Sequence, residues 1–510
     1  MRRSELAKAH LRHGNGSGGH SAIGHLPEGR VRSLNTGSVN SDGDYVLYWM
    51  TSFRRTRSNF ALQRAVERAR ELGTGVLVLE ALRSDYRWAS ERFHRFIIDG
   101  MADNATDLDG RSGVSYLPYV EPSIGEGRGL LGALSDRASL VVTDDYPNFF
   151  IPRMLDVAAQ RVSVLLEAVD GNGLAPLRAT EKSYPTAYTF RRYLQKALPE
   201  FLESVPDHDP LAGLEGLPAP EIPAEVLDRW PKANLTGGGG GFDLSGLPID
   251  HSIGATGRAG GQSAAEAQLE TFLRKRLSRY ADERNQPEEE VASGLSPWLH
   301  FGHISTHTVL QRLAEQEGWT PDFEGRPTDG KRSGWWGMSG PAEAFLDELV
   351  TWRELGYNMA ANRPDYQEYD SLPDWARKTL ADHIDDPREH TYSLEQFASA
   401  ETHDELWNAA QRQLVREGVI HNYLRMLWGK KILEWTWTPH EAADVMIELN
   451  NRYALDGRDP NSYSGIYWCL GRYDRPWGPE RPIFGKIRYM TSKNTARKVR
   501  VAEYLERYSA

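Results

Sequence analysis

The sequence predicts an α/β domain followed by an all-α domain. Two observations carry that expectation. Over residues 42–175 short apolar runs alternate with helical stretches and tight turns, the pattern of a parallel sheet with crossover helices. From residue 261 onward strand-type alternation stops and one amphipathic segment follows another. With 510 residues the chain is long enough for two or three packed units.

Residues 1–41 are polar and rich in Gly and His, so a disordered extension is expected there. A Gly-x-Gly-x-Gly-Gly string at Gly14–Gly19 has no strand before it, which argues against a dinucleotide loop. YVLYWM, from Tyr45, reads as a short apolar strand, and an Arg/Ser-rich turn follows. Asn59–Leu72 places Phe60, Leu62, Ala65, Val66, Ala69 and Leu72 on one helical face. Gly73 and Gly75 break that helix, and VLVLEAL starts a second strand. A helix around Ser90–Leu108, strands near Val114–Tyr116 and Leu140–Thr143, and a further pair at 153–160 and 161–166 complete a Rossmann-like unit. Residues 176–260 read as a connector. Pro and acidic residues dominate 205–230, and the five glycines Gly237–Gly241 have a flexible linker as their default meaning. The all-α part, 261–505, holds AAEAQLETFLRKRLSRYADER, SPWLHFGHISTHTVLQRLAEQ and PAEAFLDELVTWRELGYNMA. Helices at Glu405–Arg416, Ile420–Trp435 and Pro439–Asn450 follow, enough to enclose a cofactor.

Composition narrows the function classes. Hydrophobic residues make up 40% and charged residues 26%, a globular balance. No apolar run approaches the roughly 18 residues of a membrane span, and the polar start is unlike a secretory signal. One cysteine, Cys469, excludes an intramolecular disulfide and a cysteine-built zinc site. A cytoplasmic protein is expected, nucleoid-associated if bacterial. No P-loop occurs, which argues against an NTPase. The net charge of −11 does not suit a nucleic-acid coat, yet charge is segregated along the chain. Arg472–Arg500 carries nine Lys/Arg against Asp474 and Glu480, a basic patch able to meet phosphates or a solvated tail. His300, His303 and His307 have ligand spacing, but no carboxylate or cysteine joins them locally, so no metal is expected.

The α part is loaded with tryptophan. Trp428 and Trp435 are seven residues apart and share a helical face, about 10 Å apart along the axis. Trp407 lies on the preceding helix, beyond Gly418. Spacing alone reads these rings as core. PWLHFGHIS, the WRE of TWREL, HDELWNAAQ, LRMLWGKKILEWT, LNNRYALDGRDPNSYSGIYW and FGKIRYM occur in that order, after an opening YWMTSFRRTRSNFAL. Together they resemble the signature segments of the class II cyclobutane pyrimidine dimer photolyases, over nearly the whole folded chain.

That resemblance implies the photolyase/cryptochrome fold, an FAD folded into the helical domain, and UV-damaged DNA as partner with the dimer flipped out of the duplex. It implies that Tyr280 and the loop Ala292, Ser293, Gly294, Leu295 and Ser296 meet the FAD phosphates. Asp456 and Asp459 would lie beside the flavin, and Asn450 would face its N5. Trp428 would be the proximal, Trp407 the intermediate and Trp435 the distal member of an electron path near solvent, with Arg425 alongside and Tyr392 as an extension. Glu348 would contact the dimer, Trp352 and Trp468 would flank it, Arg488 would fill the vacated space in the duplex, and Lys486 would support a phosphate. On the residues alone the Ser-Gly-Leu-Ser-Pro string also reads as a helix cap, the aspartates as an Asx turn and Glu348 as part of a solvated face. A second, antenna chromophore of deazaflavin, folate or flavin type stays open, and a monomer is expected. The implied activity is light-driven repair of pyrimidine dimers by electron transfer from reduced FAD. A cryptochrome-like blue-light receptor and a light-independent nucleotide-binding protein are the rivals. LGYNM stands where the family reads closer to LADNF, and Asn450-Asn451-Arg452-Tyr453 where many members have Asn-Asp-Arg-Tyr.

Overall fold

Strand-forming runs that are apolar on both faces need cover on both sides, and the first part of the chain supplies it. The computed structural model describes residues 26–510; Gly14–Gly19 lies outside the described residues. The strands are β1 (Val31–Ser33), β2 (Tyr45–Met50), β3 (Gly75–Leu82), β4 (Val114–Val120), β5 (Ala138–Asp144) and β6 (Leu166–Val169). They form one sheet in the order β1-β6-β5-β2-β3-β4, parallel except for β1, which runs antiparallel to β6. Central β2 is buried along its whole length, with Leu47 opposite Leu77 on one side and Val141 on the other. The crossover helices α1 (Phe60–Leu72), α2 (Glu91–Leu108), α3 (Leu130–Ser135) and α4 (Ile151–Ala159) alternate with these strands. Asn59 caps α1 by accepting from the N–H groups of Ala61 and Leu62, and left-handed Gly73 ends it.

Two features depart from the sequence reading. Strand β1 falls inside the expected extension. It is only three residues long, and its hold is tertiary: Arg32 forms a two-pronged ion pair with Asp145 at 2.7 and 2.9 Å, and Arg30 donates to the carbonyls of Gly173 and Leu174. The glycine run is not a free linker either. Gly239–Gly241 makes one turn of 3₁₀ helix against α2, where a Cβ on Gly239 would collide with Asp99. Arg95 ties the turn down through the carbonyls of Gly239 and Phe242. The missing side chains permit close packing instead of preventing it.

The chain order reverses between β2 and β5, the place where an open α/β sheet ordinarily binds a ligand. Here the protein fills it. Asp144, at the end of β5, accepts the backbone N–H groups of Thr51, Ser52 and Phe53 at 2.8, 2.6 and 2.8 Å, and the Tyr48 hydroxyl at 2.8 Å. A carboxylate thus occupies the amide nest that a nucleotide phosphate would take.

The chain divides into two compact units that interleave along the sequence. The first comprises the chain up to Thr180 with Leu194–Glu270 and Leu295–Pro327; the second comprises Glu181–Tyr193, Thr271–Gly294 and Thr328–Ala510. In the first, His303 and His307 are buried against Phe96 and Phe60, and burial holds both neutral, His303 down to about 3. Gly302 beside them is left-handed (φ 72°), with its Cα against the backbone of Ser52 and Phe53. The second unit is helical. Among its helices are α11 (Gly340–Leu346), α12 (Arg353–Asn362), α15 (Glu405–Glu417), α16 (Asn422–Trp435), α17 (Pro439–Tyr453) and α18 (Pro460–Cys469), counting every α-helix in chain order. The single helix expected over residues 341–360 is interrupted by a π-helical turn at Asp347–Trp352. Among the described residues no helix is long and apolar enough to cross a membrane.

Asp144→Ala should orphan three buried N–H groups and cost about 3 kcal/mol or more. Urea unfolding reads this out, and a midpoint matching wild type would show that the carboxylate does not hold the C-terminal ends of β2 and β5 together.

Candidate active site

The π-turn sets two neighbouring carboxylates to different tasks. Asp347 is buried and takes a two-pronged ion pair from Arg191 at 2.7 and 3.1 Å. Glu348 pairs with Arg284 at 2.6 Å and is one-third exposed. Burial pushes the Glu348 carboxyl above its ordinary range and outweighs the Arg284 charge, which pulls the other way. Arg284 also lies over the Tyr280 ring, 5.4 Å from its centre, so Tyr280, Arg284 and Glu348 form one cluster. Tyr280 is itself packed edge-on against Phe272 and Phe345.

At the end of the π-turn stands Trp352. Its indole stacks on Trp468 with centres 5.1 Å apart and planes 25° apart, both half-buried. At that separation the rings touch each other, and no base fits between them unless one moves. Next to Trp468 the carbonyl of Cys469 accepts from Lys430, a wholly buried lysine whose pKa burial lowers to about 8.

The turn after α17 gathers a second group. The N–H of Ala454 reaches back to the Asn450 carbonyl, and the N–H of left-handed Arg458 donates to the Asn451 side chain at 2.8 Å. The buried amide of Asn450 donates to the Asn451 side chain at 3.2 Å, and Asp456 in the same turn pairs with Arg425 at 3.2 Å. Asp459 is fully engaged. It caps α18 through the Asn461 N–H and accepts the Tyr357 hydroxyl at 3.0 Å. The expected phosphate loop is divided, with Ala292, Ser293 and left-handed Gly294 in the second unit and buried Leu295 and exposed Ser296 in the first.

The tryptophans form a continuous stack. Trp428 and Trp407 lie parallel, 6.5 Å between centres and 2° between planes, and Trp435 meets Trp407 edge-on at 6.0 Å. Tyr392 meets Trp435 at 5.6 Å. The Trp407 indole N–H donates to the Trp428 carbonyl at 3.0 Å, and that of Trp428 to the Gln411 side chain at 2.9 Å. Trp435 is 2% exposed, which corrects the expectation that it stands near solvent; half-buried Tyr392 is the outermost ring. Phe397 and α15 seal Trp435 in.

The basic segment is partly inward-facing. Arg472 is buried, donates to the Tyr366 carbonyl at 2.6 Å and lies over Tyr467. Arg500 pairs with Glu289 and Lys486 with Glu480. Among the outward cations, Arg475 and Arg488 lie over Trp477 at 4.7 and 5.2 Å and Arg481 covers Tyr489, while Lys493, Arg497 and Lys498 are exposed on the helix that follows. Arg191, Arg284, Gln411 and Trp477 were not among the sequence candidates. Only Arg284 left a trace, standing four residues after Tyr280 on one helical face.

The sheet of the first unit and the helical second unit define the class of protein. The chain superposes on a cryptochrome from Synechocystis sp. PCC6803 with a TM-score of 0.65 and 16% identity, covering 91% of this chain and 88% of that one. It superposes on a bacterial class III photolyase from Agrobacterium tumefaciens with a TM-score of 0.63 and 18% identity, covering 93% and 87%. This is the photolyase/cryptochrome fold. No family model matches the chain. It is 35% identical over 485 residues to the deoxyribodipyrimidine photo-lyase of Methanothermobacter thermautotrophicus, which covers 94% of this chain and 97% of that one. The chain belongs to the deoxyribodipyrimidine photolyase family.

Replacing Arg284 by Met removes the charge that favours ionised Glu348, so the glutamate should hold its proton to a still higher pH. Carboxyl carbon NMR titration measures this; a downward or absent shift would assign the counter-charge elsewhere.

Proposed function

We propose that the protein is a class II deoxyribodipyrimidine photolyase that splits cyclobutane pyrimidine dimers in DNA under light, with FAD as its bound cofactor. The observation that carries this reading is the buried stack from Trp428 through Trp407 and Trp435 to Tyr392. Rings in near contact over that length, with their N–H groups tied to a carbonyl and an amide, suit one-electron transfer between the interior and the surface. Core packing alone does not require parallel indoles.

The residues present fit a flavin. Asn450 offers a buried amide that bonds to either protonation state of a ring nitrogen, and Arg425 is balanced by Asp456. His421, which begins the helix carrying Arg425 and Trp428, has a buried Nδ1 with no hydrogen-bond partner, a polar atom for a ligand to satisfy. FAD, when bound and reduced, supplies the photoexcited electron that opens the dimer. The protein's part is positioning. Burial raises the Glu348 pKa, and in its protonated form the carboxyl donates a hydrogen bond to a pyrimidine carbonyl as negative charge develops there. Trp352 and Trp468 part or turn to receive the extruded bases, whose unstacking costs less at a distorted site. Arg475, Arg481 and Arg488 meet phosphates irrespective of sequence, so binding should weaken with salt. An antenna chromophore has a platform in the first unit, where Tyr86, Trp88, Phe149 and Phe150 gather beyond the ends of β3 and β5.

Reduced, flavin-loaded protein under blue light should restore the thymine absorbance of dimer-bearing oligonucleotides. Glu348→Ala should lower the repair yield roughly ten- to a hundredfold while leaving DNA affinity nearly unchanged. Trp428→Phe should abolish photoreduction of the oxidised protein. Photoreduction without any dimer repair would favour a cryptochrome-like receptor, and no flavin absorbance after reconstitution would sink both light-driven readings.

A further inference from the structure

Trp435 is buried, and of the rings that touch it beyond Trp407, which are Phe397, His403 and Tyr392, the readily oxidised one is Tyr392. The phenol is held on two sides. It accepts the backbone N–H of His403 at 3.0 Å, and its oxygen lies 2.6 Å from His403 Nδ1. A hydrogen bond from the phenolic O–H to Nδ1 requires the neutral imidazole to be the Nε2–H tautomer. His403 is exposed, so its far nitrogen faces water. We infer that His403 is the proton acceptor for Tyr392, so that the outermost ring of the relay gives up its electron and its phenolic proton together. This rests on the light-driven reading above.

The surroundings of the other rings support the assignment. The N–H of Trp407 bonds to a backbone carbonyl and that of Trp428 to a carboxamide oxygen, and neither accepts a proton. A positive hole on those indoles keeps its proton and stays mobile. At Tyr392 a base stands within hydrogen-bond reach. The balance is closed. Light-excited oxidised flavin is the oxidant, and electrons move inward along the stack until Tyr392 fills the hole on Trp435. The phenolic O–H bond breaks, its proton forms an N–H bond at His403 Nδ1, and a neutral tyrosyl radical faces an imidazolium. A thiol reductant from solution then returns the electron, and the imidazolium returns the proton. His403 is suited to start neutral. Partial loss of solvent around the ring, His390 with its ring centre 3.9 Å away and Lys431 beside Trp435 lower its pKa, while Asp404 and Glu389 oppose them.

The test follows radicals after a laser flash in the flavin-loaded protein, in light and heavy water. Wild type should convert tryptophan radical to neutral tyrosyl radical with a solvent isotope effect. His403→Phe should slow that conversion roughly a hundredfold and leave long-lived tryptophan radical, as Tyr392→Phe does. Tyrosyl radical forming at the wild-type rate in His403→Phe overturns the inference. Absence of any tryptophan radical in wild type overturns the light-driven reading instead, and this inference with it. Nitrogen-15 NMR gives a readout free of photochemistry: His403 should show the Nε2–H tautomer, and an Nδ1–H ring would also overturn it.

Discussion

An indole can be buried only if its N–H finds an acceptor, and Trp407, the largest wholly buried side chain in the protein, finds one in the backbone of the next helix. That single bond, from Nε1 to the Trp428 carbonyl, clamps α15 to α16 at the level where their two indoles lie parallel. Asp404 caps α15 through the Trp407 N–H, so the same residue is fixed at its backbone and at its ring. Gln411, one turn further along α15, repeats the device for Trp428. The helices around these rings are placed to keep that geometry.

The opposite economy governs the outward face. A protein of net charge −11 meets a polyanion only where its cations are not already engaged. Arg472 is consumed in the core, and Arg191 and Arg284 neutralise the two carboxylates of the π-turn. The arginines left free of ion pairs among the described residues around Trp477 and Tyr489 sit on aromatic faces. Stacking there holds the guanidinium groups in place without neutralising them.

Periodicity made the sheet legible, because β2, β3 and β5 are buried on both faces and α1 and α2 on one. It was blind to β1, whose three residues owe their place to Asp145 and β6, and to the glycine turn, whose packing depends on what α2 presents to it. The π-turn was equally hidden: an extra residue in one helical turn leaves no mark in FLDELVTW, yet it sends Asp347 and Glu348 to different arginines. At the candidate site, family resemblance supplied residue names, and contacts supplied their partners. Trp435 shows the limit. The resemblance puts it near solvent, but Phe397 and Tyr392, from a segment more than 30 residues earlier, cover it.

One helix ties the two halves of the proposed chemistry together. Trp428 and Lys430 are two residues apart on α16 and therefore face nearly opposite directions. Trp428 belongs to the indole stack, and Lys430 reaches the carbonyl that ends α18, beside the Trp468 that stacks on Trp352. An ammonium buried without a carboxylate partner is costly; at the C-terminus of a helix the macrodipole and the free carbonyl offset part of that cost. The close approach of Gly429 to Cys469, where a side chain would strike the thiol, draws α16 and α18 near enough for the lysine to reach. The indole stack and the lysine that reaches the end of α18 thus lie on opposite faces of a single helix, so a shift of α16 that disturbs one moves the other.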